Sequence, residues 1–140
     1  MDRRAEARWN GDLKTGSGTI KIESGTFEGP YSFVSRFESG KEANPEELLG
    51  AAHAACYSMA LSNSLAKAGH KPRSVHTTAV VRLTTGASGP SITGIDLVTR
   101  GDVPGLSAAD FRKFAEETKV GCIVSRALSA VPMTVDAQLA

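Results

Sequence analysis

Asn44-Pro45-Glu46-Glu47-Leu48-Leu49-Gly50-Ala51-Ala52-His53-Ala54-Ala55-Cys56-Tyr57-Ser58-Met59-Ala60-Leu61 is the stretch on which the fold turns. Asn44 offers a side-chain oxygen to the free N–H groups of a helix start. Pro45 has its φ preset for the first helical position, and Glu47 falls where a capping-box acid stands. A helix therefore begins here. It is predicted to run to Ala68, where Gly69 and then Pro72 stop it. From Leu48 to Ala60 only Gly50, His53 and Ser58 interrupt Leu, Ala, Cys, Tyr and Met. A helix laid on a surface keeps a polar face, and this one has almost none, so it is expected to be the central element with protein around it.

Outward from that helix the order of elements sets the fold class. On its N-terminal side, residues 17–23 and 31–38 alternate in character and are separated by Gly25 and the Gly29-Pro30 breaker, which predicts two strands of a hairpin or meander. On such a strand Arg36 points with Ser32, Val34 and Glu38, opposite Tyr31, Phe33 and Phe37. Beyond the helix, the β-branched runs 75–83 and 92–100 flank Gly86-Ala87-Ser88-Gly89-Pro90 as an antiparallel hairpin, with Gly94 marking a bulge. Ser107 caps a short helix whose one face is Phe111, Phe114, Ala115 and Thr118. Gly121 precedes a second, residues 122–130, and alternation over 133–139 predicts a last strand. Strands and helices come in blocks, which argues for an α+β fold with antiparallel sheets over a doubly wound one. No repeat, linker or low-complexity tract divides the chain, so residues 1–140 are expected to form a single domain.

Composition narrows the function. The 140 residues are 41% apolar, enough to bury about two thirds of the unfolded surface. Sixteen Lys and Arg against 15 Asp and Glu give a net charge of +1, no field with which to hold nucleic acid. No apolar run reaches the roughly 18 residues of a membrane span, and Met1–Arg8 lacks the apolar block of a signal peptide. A soluble cytoplasmic protein with no membrane or nucleic-acid partner is expected. Two cysteines are too few for the disulfide framework of a secreted fold, and His53, His70 and His76 are not spaced with them as zinc ligands. No metal or cofactor is expected.

The two cysteines sit in different settings. Cys122 stands at a predicted helix start, where unpaired N–H groups favour a thiolate, whereas the apolar neighbours of Cys56 disfavour one. Cys56 reads either as an inert core residue or as a nucleophile, and the second reading requires a cation. An ordinary thiol is only about 3% ionised at pH 7. An arginine about 4 Å away, at an effective dielectric near 20, contributes roughly 4 kcal/mol and offsets moderate desolvation. Which arginine does so is open, since Arg36 also reads as a solvated strand residue paired with Glu38. Glu46 and Glu47 are accounted for by the helix N-terminus alone. Ten residues of helix separate Glu46 from Cys56, roughly 15 Å of rise, so any help it gives Cys56 comes from a second chain or through an intermediary. His53, one turn before the thiol, is either its neighbour or a satisfied core histidine.

The central helix stretch quoted above resembles the signature of the OsmC family. Lys119-Val120-Gly121-Cys122-Ile123-Val124-Ser125 resembles that family's second cysteine motif, and Ala7-Arg8-Trp9-Asn10-Gly11-Asp12 its opening strand and turn. The resemblance implies an intertwined homodimer with sites at the subunit interface. It implies a thiol peroxidase in which Cys56 is the peroxidatic thiolate, Cys122 the resolving cysteine, Arg36 the group that stabilises the thiolate and Glu46 the carboxylate that orients Arg36. The loop Lys14-Thr15-Gly16-Ser17-Gly18 has no arginine, which favours the OsmC branch over the relatives named for hydroperoxide resistance. Two departures from the family pattern stand out: Ile123 replaces the usual Pro after Gly-Cys, and Tyr57 stands where Phe is common. The expected substrates are organic hydroperoxides, with hydrogen peroxide reduced more weakly. With no Cys-x-x-Cys in the chain, the reductant is an external dithiol, for which the family suggests lipoyl groups. The rival readings are a redox-sensing module that oxidises once and a non-catalytic binder of small lipophilic ligands.

Overall fold

The computed structural model describes residues 1–140. Strands β1 (Ala5–Asn10), β2 (Ser17–Ile22) and β3 (Glu28–Ser32) precede helices α1 (Phe33–Phe37) and α2 (Pro45–Lys67). Then come β4 (Ser74–Gly86), β5 (Gly89–Asp102), α3 (Ala108–Gly121), α4 (Ile123–Ala127) and β6 (Met133–Leu139). The class is α+β, with two three-stranded sheets. Contacts divide the chain into two units, Met1–Leu48 and Leu49–Ala140, with the first turn of α2 counted in the first.

In the first unit, β2 lies between β1 and β3, antiparallel to both. The Gly29-Pro30 pair does not break this sheet: Pro30 lies within β3 opposite Thr19, on an edge strand that can spare its N–H. The larger correction concerns residues 31–38. The strand stops at Ser32, and Phe33–Phe37 is helical, because Ser32 and Ser35 exchange hydrogen bonds as a capping box. The Ser35 hydroxyl also donates to the Ala43 carbonyl at 2.9 Å, tying the turn to the loop before α2. Local capping outweighs the period-2 alternation, and Arg36 consequently leaves the sheet face expected for it.

α2 starts as its sequence dictates: the Asn44 side chain accepts from the Glu47 N–H at 2.8 Å. It stops at Lys67, with Gly69 at φ 88° and the His70 N–H returned to the Leu65 carbonyl. In the second unit the helix buries one stripe, His53, Tyr57, Leu61 and Leu65, spaced about one turn apart. Ala51, Ala52, Ala55 and Met59 are exposed, so the expectation of a helix surrounded by protein holds for this one stripe within the chain.

β4 and β5 form the predicted hairpin. Arg82 faces Gly94 and Leu83 faces Ile92, so Thr93 is the extra residue of a bulge beside Gly94. Gly50 lets α2 approach β4 closely, since a Cβ there would stand 3.2 Å from the Ala79 carbonyl oxygen. Ser58 donates to Thr77, and Thr77 to Thr99, so a run of hydroxyls links α2 to β4 and β5. β6 departs from the antiparallel expectation. It pairs parallel to β5 from Ile95 with Met133 to Gly101 with Leu139, because α3 and α4 carry the chain back across the sheet before β6 begins. The first of these helices, at 14 residues, is longer than predicted.

The core of this unit joins Tyr57, Leu61 and Leu65 of α2 to Ile95 and Leu97 of β5 and to Phe111 and Ala115 of α3. Tyr57 is fully buried, and its hydroxyl donates to the Ala115 carbonyl at 2.7 Å. The Tyr57→Phe variant removes that hydrogen bond from the core and leaves the carbonyl with its place in the α3 ladder alone. It is expected to lose about 1–2 kcal/mol of stability in guanidinium unfolding, and an unchanged midpoint would contradict this role.

Candidate active site

α2 and α3 bring the two cysteines together. Cys56 projects from the middle of α2, and Cys122 is both the last cap of α3 and the residue that caps α4. Its N–H returns to the Thr118 carbonyl at 2.8 Å, and its carbonyl accepts the Arg126 N–H at 2.9 Å. The two Sγ atoms are 3.3 Å apart, and both thiols are free. That is a thiol-to-sulfur hydrogen-bond distance, well beyond the roughly 2.05 Å of a disulfide. The sulfurs differ in access: Cys56 is half-buried, and Cys122 is 1% exposed. Both line a cavity of about 620 Å³ whose walls include Met59, Ala60 and Ile123.

Burial is the largest single influence on Cys122 and pushes its thiol up. The Ser125 N–H, the Cys56 thiol, the Ser125 hydroxyl and the Val124 N–H all oppose it, and together they hold the Cys122 thiol below its usual range. The helix start thus acts on Cys122 as its position in the sequence implies. Ser125 is the residue that sequence reading passes over. The available signal was its place three residues after a capping position, in the first turn of α4. His53 resolves as well: it is fully buried, with Nε2 2.7 Å from Ser125 Oγ, and burial pushes its pKa down so that the ring stays neutral. Its Nδ1 has no partner.

Arg36 and Glu46 meet within the first unit. Arg36 Nε and Nη2 both donate to Glu46 Oε1, at 3.2 and 2.9 Å, so the alternative partner Glu38 is set aside. The guanidinium also stands 5.2 Å from the centroid of the Phe37 ring, a stacking contact that narrows its orientation. Glu46 is buried, and its second oxygen, Oε2, has no partner. A carboxylate that would be explained by the helix N-terminus alone therefore has a second occupation, fixing an arginine. The four predicted residues thus assemble as two pairs, Cys56 with Cys122 and Arg36 with Glu46, one in each unit.

No helix is long and apolar enough to cross a membrane, and no three His, Cys, Asp or Glu side chains are grouped to hold a metal ion.

Comparison with known proteins gives the family. Residues 38–136 match the model of the OsmC-like protein family. The chain is 48% identical to Peroxiredoxin OsmC of Escherichia coli strain K12 over 140 residues, covering 99% of this chain and 97% of that one, and equally so to Peroxiredoxin OsmC of Shigella flexneri. Among solved structures, the organic hydroperoxide resistance protein OhrB of Bacillus subtilis superposes with a TM-score of 0.72 at 20% identity, over 98% of each chain. The OsmC-like protein of Mycoplasma pneumoniae does so with a TM-score of 0.73 at 19% identity, over 99% of this chain and 97% of that one. At such identities these two establish the fold. With the family model and the curated relatives, the chain belongs to the OsmC-like family. It is a peroxiredoxin-like thiol peroxidase, a class whose cysteine chemistry needs no cofactor.

Proposed function

We propose that this chain reduces organic hydroperoxides, and hydrogen peroxide more weakly, with Cys56 as the peroxidatic thiolate and Cys122 as the resolving cysteine. The observation that carries the reading is two free sulfurs 3.3 Å apart with unequal access, on the wall of a partly apolar cavity. The more accessible sulfur meets a bulky peroxide first, and the buried one waits behind it. Met59, Ala60 and Ile123 give an alkyl hydroperoxide more to bind than they give hydrogen peroxide.

In the proposed cycle the Cys56 thiolate attacks the distal oxygen of the hydroperoxide. The O–O bond breaks, two electrons pass from sulfur to peroxide, and the departing alkoxide takes a proton from solvent to leave as alcohol. Cys56 is left as a sulfenic acid. Cys122 then attacks that sulfur, the S–S bond forms, the S–O bond breaks, and hydroxide leaves to be protonated as water. An external dithiol, for which lipoyl groups are the suggested source, returns both thiols and is itself oxidised to a disulfide. Arg36 is assigned to the Cys56 thiolate and to the charge developing on the peroxide oxygens, with Glu46 as the positioning residue that aims the guanidinium. The assignment is what the family resemblance implies, and the two Arg36 donors fixed on one oxygen of Glu46 support the positioning role.

The working form is proposed to be a cytoplasmic, intertwined homodimer in which the whole chain serves as one domain. Met59, Val120 and Ile123 are 74%, 72% and 75% exposed, a cost that a second copy would remove.

Stopped-flow consumption of cumene hydroperoxide with excess dithiol tests the reading. Many equivalents consumed per chain are expected. A single equivalent would indicate a sensor, and none, with lipophile binding intact, would indicate a carrier. In the same assay Arg36→Met is expected to lower the second-order rate constant on the order of a hundredfold, and Glu46→Gln about tenfold. A rate unchanged in Arg36→Met would remove the arginine from the mechanism.

A further inference from the structure

The first unit holds a cavity of its own, of about 300 Å³, whose wall combines aromatic rings with the Arg36 guanidinium. The sheet supplies one side. Trp9 of β1, Gly18 of β2 and Tyr31 of β3 stand directly opposite one another, so the two rings project from the same face on either side of the glycine. A Cβ on Gly18 would collide with the Tyr31 ring. Without it the Trp9 and Tyr31 rings meet over the middle strand, with centroids 5.1 Å apart. The Trp9 indole N–H donates to the Asp12 carbonyl at 3.1 Å, which holds that ring in place. Helix α1 supplies the other side: Phe33 and Phe37 stand one turn apart, with ring centroids separated by 4.9 Å. Continued as a strand, residues 33–37 would have turned Arg36 away from these rings, whereas the helix puts all of them on one cavity. Arg36 commits Nε and Nη2 to Glu46 Oε1, and Nη1 has no partner in the chain. A fixed cation with a spare donor thus stands beside four aromatic rings.

We infer that this cavity seats the organic group of the hydroperoxide, and that its rings make the enzyme selective for aryl hydroperoxides over alkyl ones of equal branching. The inference rests on the reading that Arg36 stabilises charge on the peroxide oxygens, and deepens it. Oxygens held against Arg36 carry their organic group to within reach of the walls that Arg36 itself lines. An aryl ring gains offset or edge-to-face contacts with Trp9, Tyr31, Phe33 and Phe37 that a methyl group cannot make, and hydrogen peroxide has nothing to place there. Leu13 lines the same cavity and is 60% exposed, apolar surface that a bound ring would cover. A volume at the small end of ligand pockets suits a single ring better than a long acyl chain. The cysteine cavity, with Met59, Ala60 and Ile123 on its wall, holds no aromatic ring and so gives aryl groups no such advantage.

Trp9 is the chain's one tryptophan and lines the cavity, so its fluorescence reads occupancy directly. The probe is cumyl alcohol, the redox-inert product of cumene hydroperoxide, titrated into the full chain. A saturable change in emission is expected, with a midpoint about tenfold below that of tert-butyl alcohol, in which a methyl replaces the ring. Phe33→Ala is expected to raise the cumyl alcohol midpoint about tenfold. In turnover with excess dithiol, the ratio of second-order rate constants for cumene over tert-butyl hydroperoxide is expected to fall about tenfold in Phe33→Ala and about threefold in Leu13→Ala. Leu13, exposed in a loop, keeps the test open should Phe33→Ala fail to fold. Trp9 emission that cumyl alcohol leaves unchanged overturns the inference. So does a ratio that holds in both variants and falls instead in Ile123→Ser, which would seat the organic group beside the sulfurs. A saturable emission change in a protein that consumes no hydroperoxide would sink the peroxidase reading and leave the aryl site standing.

Discussion

Cys56→Ser is expected to consume no hydroperoxide above the uncatalysed rate. A serine hydroxyl is essentially un-ionised at neutral pH and lacks the soft, polarisable sulfur that attacks a peroxide oxygen, so neither Arg36 nor the cavity can compensate for it. The substitution is nearly isosteric at a half-buried position on the cavity wall, at the edge of the core that holds Tyr57, Leu61 and Leu65. The melting temperature should therefore stay within a few degrees of the parent. Loss of activity together with loss of fold would say nothing for the nucleophile, and retained activity would exclude it.

Cys122→Ser is expected to separate the two halves of the cycle. The first equivalent of cumene hydroperoxide should disappear at close to the parental rate, because the attacking sulfur and the cavity are intact. The sulfenic acid then has no thiol 3.3 Å away. A neighbouring thiol is worth an effective concentration far above that of any added reductant, so steady-state turnover at millimolar dithiol should fall at least about tenfold. Dimedone should label Cys56 in this variant and not in the parent, and prolonged peroxide should carry the label site on to sulfinic acid. Parental turnover in Cys122→Ser would mean that the dithiol reduces Cys56 directly.

Much of the architecture was legible in local chemistry. Asn44, Pro45 and Gly69 delimit α2, and the β-branched runs around Gly86 to Pro90 identify the β4–β5 hairpin, because each signal acts within a few residues. The misreadings have equally local causes. Tyr31 to Glu38 alternates as a strand does, and only the Ser32 and Ser35 capping bonds turn it into α1. A serine at that third helical position is a weaker signal than the glutamate of the usual capping box. β6 has the right alternation, but period 2 carries no direction, so its parallel pairing with β5 was invisible. The same limit applies to the site. The residue types at Cys56, Cys122, Arg36 and Glu46 were readable, whereas the Arg36 partner depended on where the strand ended. The hydrogen bond between His53 and Ser125 joins residues 72 positions apart, which no spacing rule reaches.

The central claim is that Cys56 and Cys122 form one redox couple, and peptide mass mapping after a single equivalent of cumene hydroperoxide tests it most directly. The account predicts a chain lighter by two hydrogens, with one cross-linked peptide joining Cys56 to Cys122, and full recovery of both thiols on adding dithiol. Peroxide consumed while both cysteines remain open to alkylation, or oxygen added to Cys122 with Cys56 untouched, would contradict it.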